Sequence, residues 1–141
     1  MKADARLFTD TATIVLFDPA RLKSHMQDEC DWWTGAGDLE REEAAHNLAY
    51  IETGSDGTYN VTVCIDEQAP SGRILKESTL AVHASELVFG PGERLPGEGV
   101  LRDRRLAGVS VMPGDYHVVV LETSESEAST VRSFCFVLTK R

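Results

Sequence analysis

Two tryptophans stand side by side at Trp32 and Trp33, inside the most acidic stretch of the chain. From Asp28 to Asp56 there are nine carboxylates (Asp28, Glu29, Asp31, Asp38, Glu40, Glu42, Glu43, Glu52 and Asp56) and one base, Arg41. Carboxylates this dense set up a negative field that attracts cations and repels phosphate. A protein with a basic face would associate quickly with such a surface, and Trp is a frequent anchor of protein interfaces. The two rings are adjacent in sequence, so on a strand they point to opposite faces and on a helix they lie about 100° apart. Both are hard to bury together. The partner-binding candidates are therefore Asp28, Glu29, Asp31, Trp32, Trp33, Asp38, Glu40, Glu42 and Glu43. The plainer alternative is a solvated helix face with one Trp holding it to the core.

Other chemistries find less support. The histidines are His25, His46, His83 and His117, none within five residues of another. Asp115 and His117 would share a strand face, but zinc sites need three or four protein ligands with local pairs. No metal or other cofactor is expected. Cys30, Cys64 and Cys135 form no Cys-x-x-Cys pair, and Cys64 and Cys135 fall inside expected strands, where a buried, inert thiol is the usual occupant. There is no Gly-x-Ser-x-Gly elbow for a nucleophile. The glycines from Gly90 to Gly99 belong to a Gly/Pro loop, not to a phosphate-cradling turn between strand and helix. The carboxylates at Asp28, Asp31 and Asp38 lack the spacing of a calcium loop. Carboxylate pairing for glycoside hydrolysis, with Trp32 and Trp33 as a sugar platform, is disfavoured because acids this dense are usually solvated. The one basic patch, Arg94 with Arg102, Arg104 and Arg105, reads as surface charge offsetting the acidic stretch.

The elements that must carry these residues follow from the chain's size and patterning. At 141 residues the chain is expected to form a single domain, residues 1–141, with one real core. With 14 basic against 23 acidic residues the net charge is -9, which disfavours direct binding to nucleic acid; no membrane partner is expected either. The longest wholly apolar run is five residues, Phe134 to Leu138, and a membrane helix needs about 20. Met1 to Arg6 shows no signal-peptide pattern, which predicts a cytoplasmic protein with free thiols.

Asp18-Pro19 starts a helix that puts Leu22 and Met26 on one face. A second short helix runs from Asp38, as its cap, towards His46. The remainder reads as strands, with the period changing to two after residue 48: Thr11 to Phe17, Leu48 to Thr53, Val61 to Ile65, Leu80 to Val82, Leu87 to Phe89, Val109 to Val111, His117 to Leu121 and Val131 to Thr139. Turns are expected at Gly54-Ser55-Asp56-Gly57 and Pro70-Ser71-Gly72, with a tight hairpin at Pro113-Gly114-Asp115. No period of 20–50 residues is visible, so a repeat protein is not expected. The predicted fold class is mainly β: an antiparallel β-sandwich or flattened barrel with one or two short helices in the N-terminal third.

The C-terminal third, Val109-Ser110-Val111-Met112-Pro113-Gly114-Asp115-Tyr116-His117-Val118-Val119-Val120 followed by a polar loop and a last strand, resembles the competence-associated nuclease inhibitor family. Those are small acidic cytoplasmic β proteins that bind and block a secreted nuclease. The N-terminal half shows no such likeness, so no partner-binding residue carries over. The chain also resembles an uncharacterised bacterial family through Asp31-Trp32-Trp33, Gly54-Ser55-Asp56-Gly57-Thr58-Tyr59 and Gly90-Pro91-Gly92-Glu93. Charge and resemblance together predict a non-enzymatic, immunity-type inhibitor that neutralises a basic bacterial toxin, a nuclease, by acidic-surface docking. The alternative is an accessory β-sandwich domain that binds a small ligand or carbohydrate between its sheets, with an enzyme ranked third.

Overall fold

A computed structural model describes residues 1–21, 37–92, 106–123 and 131–141. Among these the chain forms β1 (Lys2–Thr9), β2 (Thr13–Phe17), α1 (Asp38–Ala44), β3 (Leu48–Glu52), β4 (Gly57–Ile65), β5 (Gly72–Val82), β6 (Glu86–Pro91), β7 (Ala107–Ser110), β8 (Gly114–Thr123) and β9 (Ser133–Lys140). The strands make two sheets, one of order β1-β4-β9-β8-β5 and one of order β3-β2-β6-β7. The fold is thus a mainly-β sandwich, not a closed barrel, with one short helix among the described residues of its N-terminal third. Pairing is antiparallel except between β4 and β9, which run parallel.

Burial explains which patterns alternate. In β4 and β8 the inward residues are Tyr59, Val61 and Val63, and Tyr116, Val118 and Val120. They meet Ile14, Leu16, Ile51, Leu87 and Phe89 from the opposite sheet. The four-stranded sheet is buried on its other face too, where Val15, Phe17, Leu48, Tyr50 and Val88 pack against Leu39 of α1. A sheet covered on both sides has no solvated face, so β2 reads Thr-Ile-Val-Leu-Phe without alternation. A third cluster, Cys64, Leu121, Cys135 and Val137, lies outside this main core.

The two halves of the chain follow the same path. In each, an edge strand of the larger sheet (β1, β5) leads to a central strand of the smaller (β2, β6). The chain then passes to that sheet's edge (β3, β7) and returns to the larger sheet beside the first strand (β4, β8). β9 fills the place between the halves. The returns match in sequence as Gly57-x-Tyr59-x-Val61-x-Val63 and Gly114-x-Tyr116-x-Val118-x-Val120. Both glycines take positive φ, 154° and 149°. Each tyrosine hydroxyl donates to the carbonyl four residues back, Tyr59 to Ser55 at 2.5 Å and Tyr116 to Met112 at 2.7 Å. The pair are tyrosine corners that fix the crossing from one sheet to the other.

This symmetry corrects several expectations. Pro113-Gly114-Asp115 is not a hairpin: β7 pairs with β6 and β8 with β5 and β9, so the segment is a corner between sheets. β1 was not expected, because its inward residues Ala3, Ala5 and Leu7 give a weak apolar signal. β5 begins at Gly72, well before the expected Leu80, since an edge strand beside one neighbour can be polar on most positions. Gly90 and Pro91 belong to β6 and not to a loop. α1 is the expected second helix, but Gly37, in left-handed geometry, is its cap, and Asp38 is its first helical residue. The expected first helix, with Leu22 and Met26, lies outside the described residues. Asp18 does open a turn, its Oδ1 accepting from Ala20 N at 2.8 Å. Its buried carboxylate also accepts from His83 N at 2.6 Å and Ala84 N at 3.0 Å, tying β2 to the β5–β6 connection.

Candidate functional site

α1 has seven residues, too few to persist alone, so its position depends on what holds it. Leu39 is buried in the outer cluster of the smaller sheet. Two polar ties complete the attachment. Glu42 Oε2 accepts from Asn47 Nδ2 at 2.8 Å, and Asn47 Oδ1 accepts from Arg21 Nε at 2.8 Å. Glu43 Oε2 meets Lys76 Nζ at 2.8 Å and accepts from Tyr50 N at 3.3 Å. Helix, β3 and β5 are therefore joined at one side of the sandwich.

Tyr50 lies at the centre of that junction. Lys76 Nζ stands 3.4 Å from its ring centroid, a close cation–π contact. Burial, and then the carboxylates of Glu40, Glu43 and Glu52, push the Tyr50 hydroxyl up to about 12. The dominant cause is desolvation, but three carboxylates acting on one oxygen also describe the local field, which is negative. Beside Tyr50 a cleft of about 230 Å³ is lined by Ile51, Glu52, Leu75, Lys76 and Val120.

Of the nine residues singled out in the sequence, Asp28, Glu29, Asp31, Trp32 and Trp33 lie outside the described residues. Asp38 opens α1. Glu40 is exposed, whereas Glu42 and Glu43 are half-buried and occupied in holding the helix. The carboxylates of α1 are thus not equivalent: of Glu40, Glu42 and Glu43, Glu40 is the exposed one. The basic patch at Arg94, Arg102, Arg104 and Arg105 also lies outside the described residues.

His25 lies outside the described residues, and the other three histidines have separate partners. His117 Nε2 lies 3.2 Å from Glu77 Oε1, His83 Nε2 lies 3.3 Å from Arg21 NH1, and His46 Nδ1 lies 3.3 Å from Thr79 O. Among the described residues no three His, Cys, Asp or Glu side chains are grouped to hold a metal. Cys64 and Cys135 are buried thiols with Sγ atoms 3.7 Å apart, and burial raises the Cys135 thiol well above its ordinary range. Sequence reasoning missed Tyr50, Lys76, Ile74 and Leu75. The available signal was Ile74-Leu75, an apolar pair inside an otherwise polar run that starts a strand. No helix among the described residues is long and apolar enough to cross a membrane.

By sequence, residues 1–136 match DUF6386, described as a family of unknown function. No curated protein matches the chain. Two solved structures share the fold. One is ComJ, inhibitor of the DNA degrading activity of NucA, from Bacillus subtilis: TM-score 0.61, 11% identity, covering 99% of this chain and 96% of that one. The other is the product named for crocagin biosynthetic gene J: TM-score 0.60, 15% identity, covering 97% of this chain and 96% of that one. The likeness read from the C-terminal third therefore extends over the whole chain. The N-terminal half escaped notice because it repeats the path of the C-terminal half with different side chains, so that little beyond Gly-x-Tyr-x-Val-x-Val is shared.

Proposed function

This chain belongs to the DUF6386 family, and we propose that it is a cytoplasmic inhibitor that binds and blocks a basic nuclease without catalysing a reaction itself. The observation that carries this reading is the whole-chain similarity to ComJ, whose described role is inhibition of a nuclease. The charge supports it independently. A nuclease cleft is built to attract phosphate, and a chain of net charge -9 with its acids concentrated between Asp28 and Asp56 offers that cleft a matching field. In this reading the acidic stretch docks first, with Glu40 on its open side and Trp32 or Trp33 as the buried anchor. The alternative of a ligand held between the sheets fits less well, because Phe89, Tyr116, Phe134 and Phe136 fill that space.

The test is titration of the full chain into a plasmid-degradation assay with NucA, and in parallel with DNases purified from the native host. Stoichiometric protection of the plasmid is expected, with association slowing as salt rises because exposed charges are screened beyond about 8 Å. Glu40→Lys should slow association without unfolding the protein. It is a cleaner probe than Glu43→Lys, which would also break the tie to Lys76. Undiminished cleavage by every nuclease tested refutes the proposal.

A further inference from the structure

We propose that the open stretch of edge strand β5, Gly72–Glu77, is where the partner adds an extended, basic strand of its own. The inference rests on the inhibitor reading and deepens it by naming the surface and the form of the contact. β5 is an edge of the larger sheet, so one side of its backbone has no neighbouring strand among the described residues. The C-terminal half of that side is closed: His46 O accepts from Ala81 N at 2.9 Å, and His46 Nδ1 meets Thr79 O at 3.3 Å. His46 holds this position at a φ of 66°, a conformation non-glycine residues seldom adopt, so the cap is fixed by its surroundings. Backbone groups alternate along a strand, so the groups at Glu77 face the same way as those at Thr79 and Ala81, beyond the reach of the cap.

The open half carries charges, with Arg73 held by Glu122 and Lys76 by Glu43, but it also exposes apolar side chains, which an edge normally avoids. A bulge falls between Ile74 and Lys76, with Leu75 as the extra residue. Ile74 is 61% exposed and Leu75 37%. Edges are usually protected by charges or by bulges that turn them away, and an exposed apolar edge is a template for pairing. Here the bulge presents two apolar side chains, and Leu75 also lines the cleft beside Tyr50. Strand addition would supply main-chain bonds from the edge and a side-chain pocket from the cleft.

The charge around the edge selects the occupant. Exposed Glu40 and Glu52, together with Glu43, surround the Tyr50 end of the cleft. A basic strand lying along β5 would set its cations against these carboxylates. A second copy of the chain paired edge to edge would bring two such sets together, which disfavours it.

The decisive comparison uses the complex with NucA, or with whichever host DNase the wild-type protein blocks. The double variant Ile74→Asp/Leu75→Asp adds negative charge, so if docking were electrostatic alone it would bind a basic nuclease at least as well as the wild type. Strand addition predicts the opposite: a loss of at least about tenfold in affinity, seen as faster dissociation. In the wild-type complex, amide hydrogen exchange should slow at Gly72–Glu77, a readout that does not depend on the variant's folding. Unchanged affinity of the variant, or unchanged exchange over Gly72–Glu77, overturns strand addition while leaving inhibition standing. Absence of inhibition by the wild type removes the inhibitor reading and this one with it. A wild-type dimer in light scattering that the double variant converts to monomer would assign the edge to a second copy and overturn the proposal.

Discussion

Asp18 provides the sharpest test of how the acidic segment is rooted in the fold. Its side chain is fully buried and accepts three backbone N–H bonds, from Ala20 at 2.8 Å, His83 at 2.6 Å and Ala84 at 3.0 Å. A bond to a charged acceptor contributes about 1.5–3 kcal/mol. Removing the carboxylate does not cost three times that, because His83 is exposed and its N–H can recover a water. Asp18→Ala should therefore destabilise the protein by about 3 kcal/mol, or about 10 °C in melting temperature at this chain length. Asp18→Asn can turn its oxygen toward His83 and Ala84 and lose one bond, so it should cost about half as much. Urea denaturation followed by circular dichroism reads both values, with the midpoint moving and the slope unchanged. Below its melting temperature the Ala variant should still block the nuclease. A loss under about 1 kcal/mol for Asp18→Ala, or equal losses for the two variants, would refute the view that the three bonds share the stabilisation.

Tyr59→Phe and Tyr116→Phe each remove a corner hydroxyl, so each should cost about 1 kcal/mol in denaturant melts, and the double variant about the sum, because the corners sit in separate halves of the fold. The Tyr50 hydroxyl, pushed up to about 12, keeps its proton longer in the folded chain than in the unfolded one. Its contribution is fully present below the unfolded value of about 10 and is lost as pH rises toward 12. Stability measured across that window should fall for the wild type and fall less for Tyr50→Phe. Cys64 and Cys135 should be inert to a thiol reagent in the native protein and react on unfolding, because both are buried and burial holds the Cys135 thiol protonated. Trp32→Ala and Trp33→Ala, measured against the nuclease by surface plasmon resonance, should speed dissociation for whichever ring is the anchor; no change in either would remove Trp from the interface.

The sheet strands were legible where one face is wet. Val61, Val63 and Ile65 alternate with polar neighbours, and the β assignment followed. Even Leu48 to Thr53, buried along most of its length, was recognisable by its bounding turn. What the sequence hid was partnership. The segments on either side of Pro113-Gly114 look like a hairpin because local turn chemistry is the same whether the chain reverses within a sheet or crosses to another one. The difference lies in Tyr116, whose hydroxyl reaches Met112 O, and that bond is recognisable only when the same Gly-x-Tyr pattern is noticed at Gly57. At the candidate site the acids were visible as charge, but their division of labour was not. Glu42 and Glu43 hold α1 through Asn47 and Lys76, residues brought beside them only by the fold. The Ile74-Leu75 pair could be noticed as an apolar interruption of a polar run, but not as an edge, because an edge is defined by the absence of a neighbour and no local pattern records that.

The repeated path of the two halves gives the charge distribution a direction. In the first half the connection from β2 to β3 carries the acids from Asp28 to Glu43; in the second the equivalent connection, from β6 to β7, carries Arg94, Arg102, Arg104 and Arg105. β2 and β6 are antiparallel neighbours, with Phe17 opposite Val88 and Ile14 opposite Pro91. The chain therefore leaves β2 and β6 at opposite ends of the smaller sheet. A five-residue strand spans roughly 17 Å, about twice the screening length at physiological ionic strength. Charge held at one of these two exits therefore does little to the field at the other. In the inhibitor reading proposed above, the end of interest is the exit of β2, where Asp18 ties that strand to the β5–β6 connection. The same symmetry that conserves the core between the halves thus leaves the connections free to differ, and it is in the first connection and the edge beside it that the proposed binding function is placed.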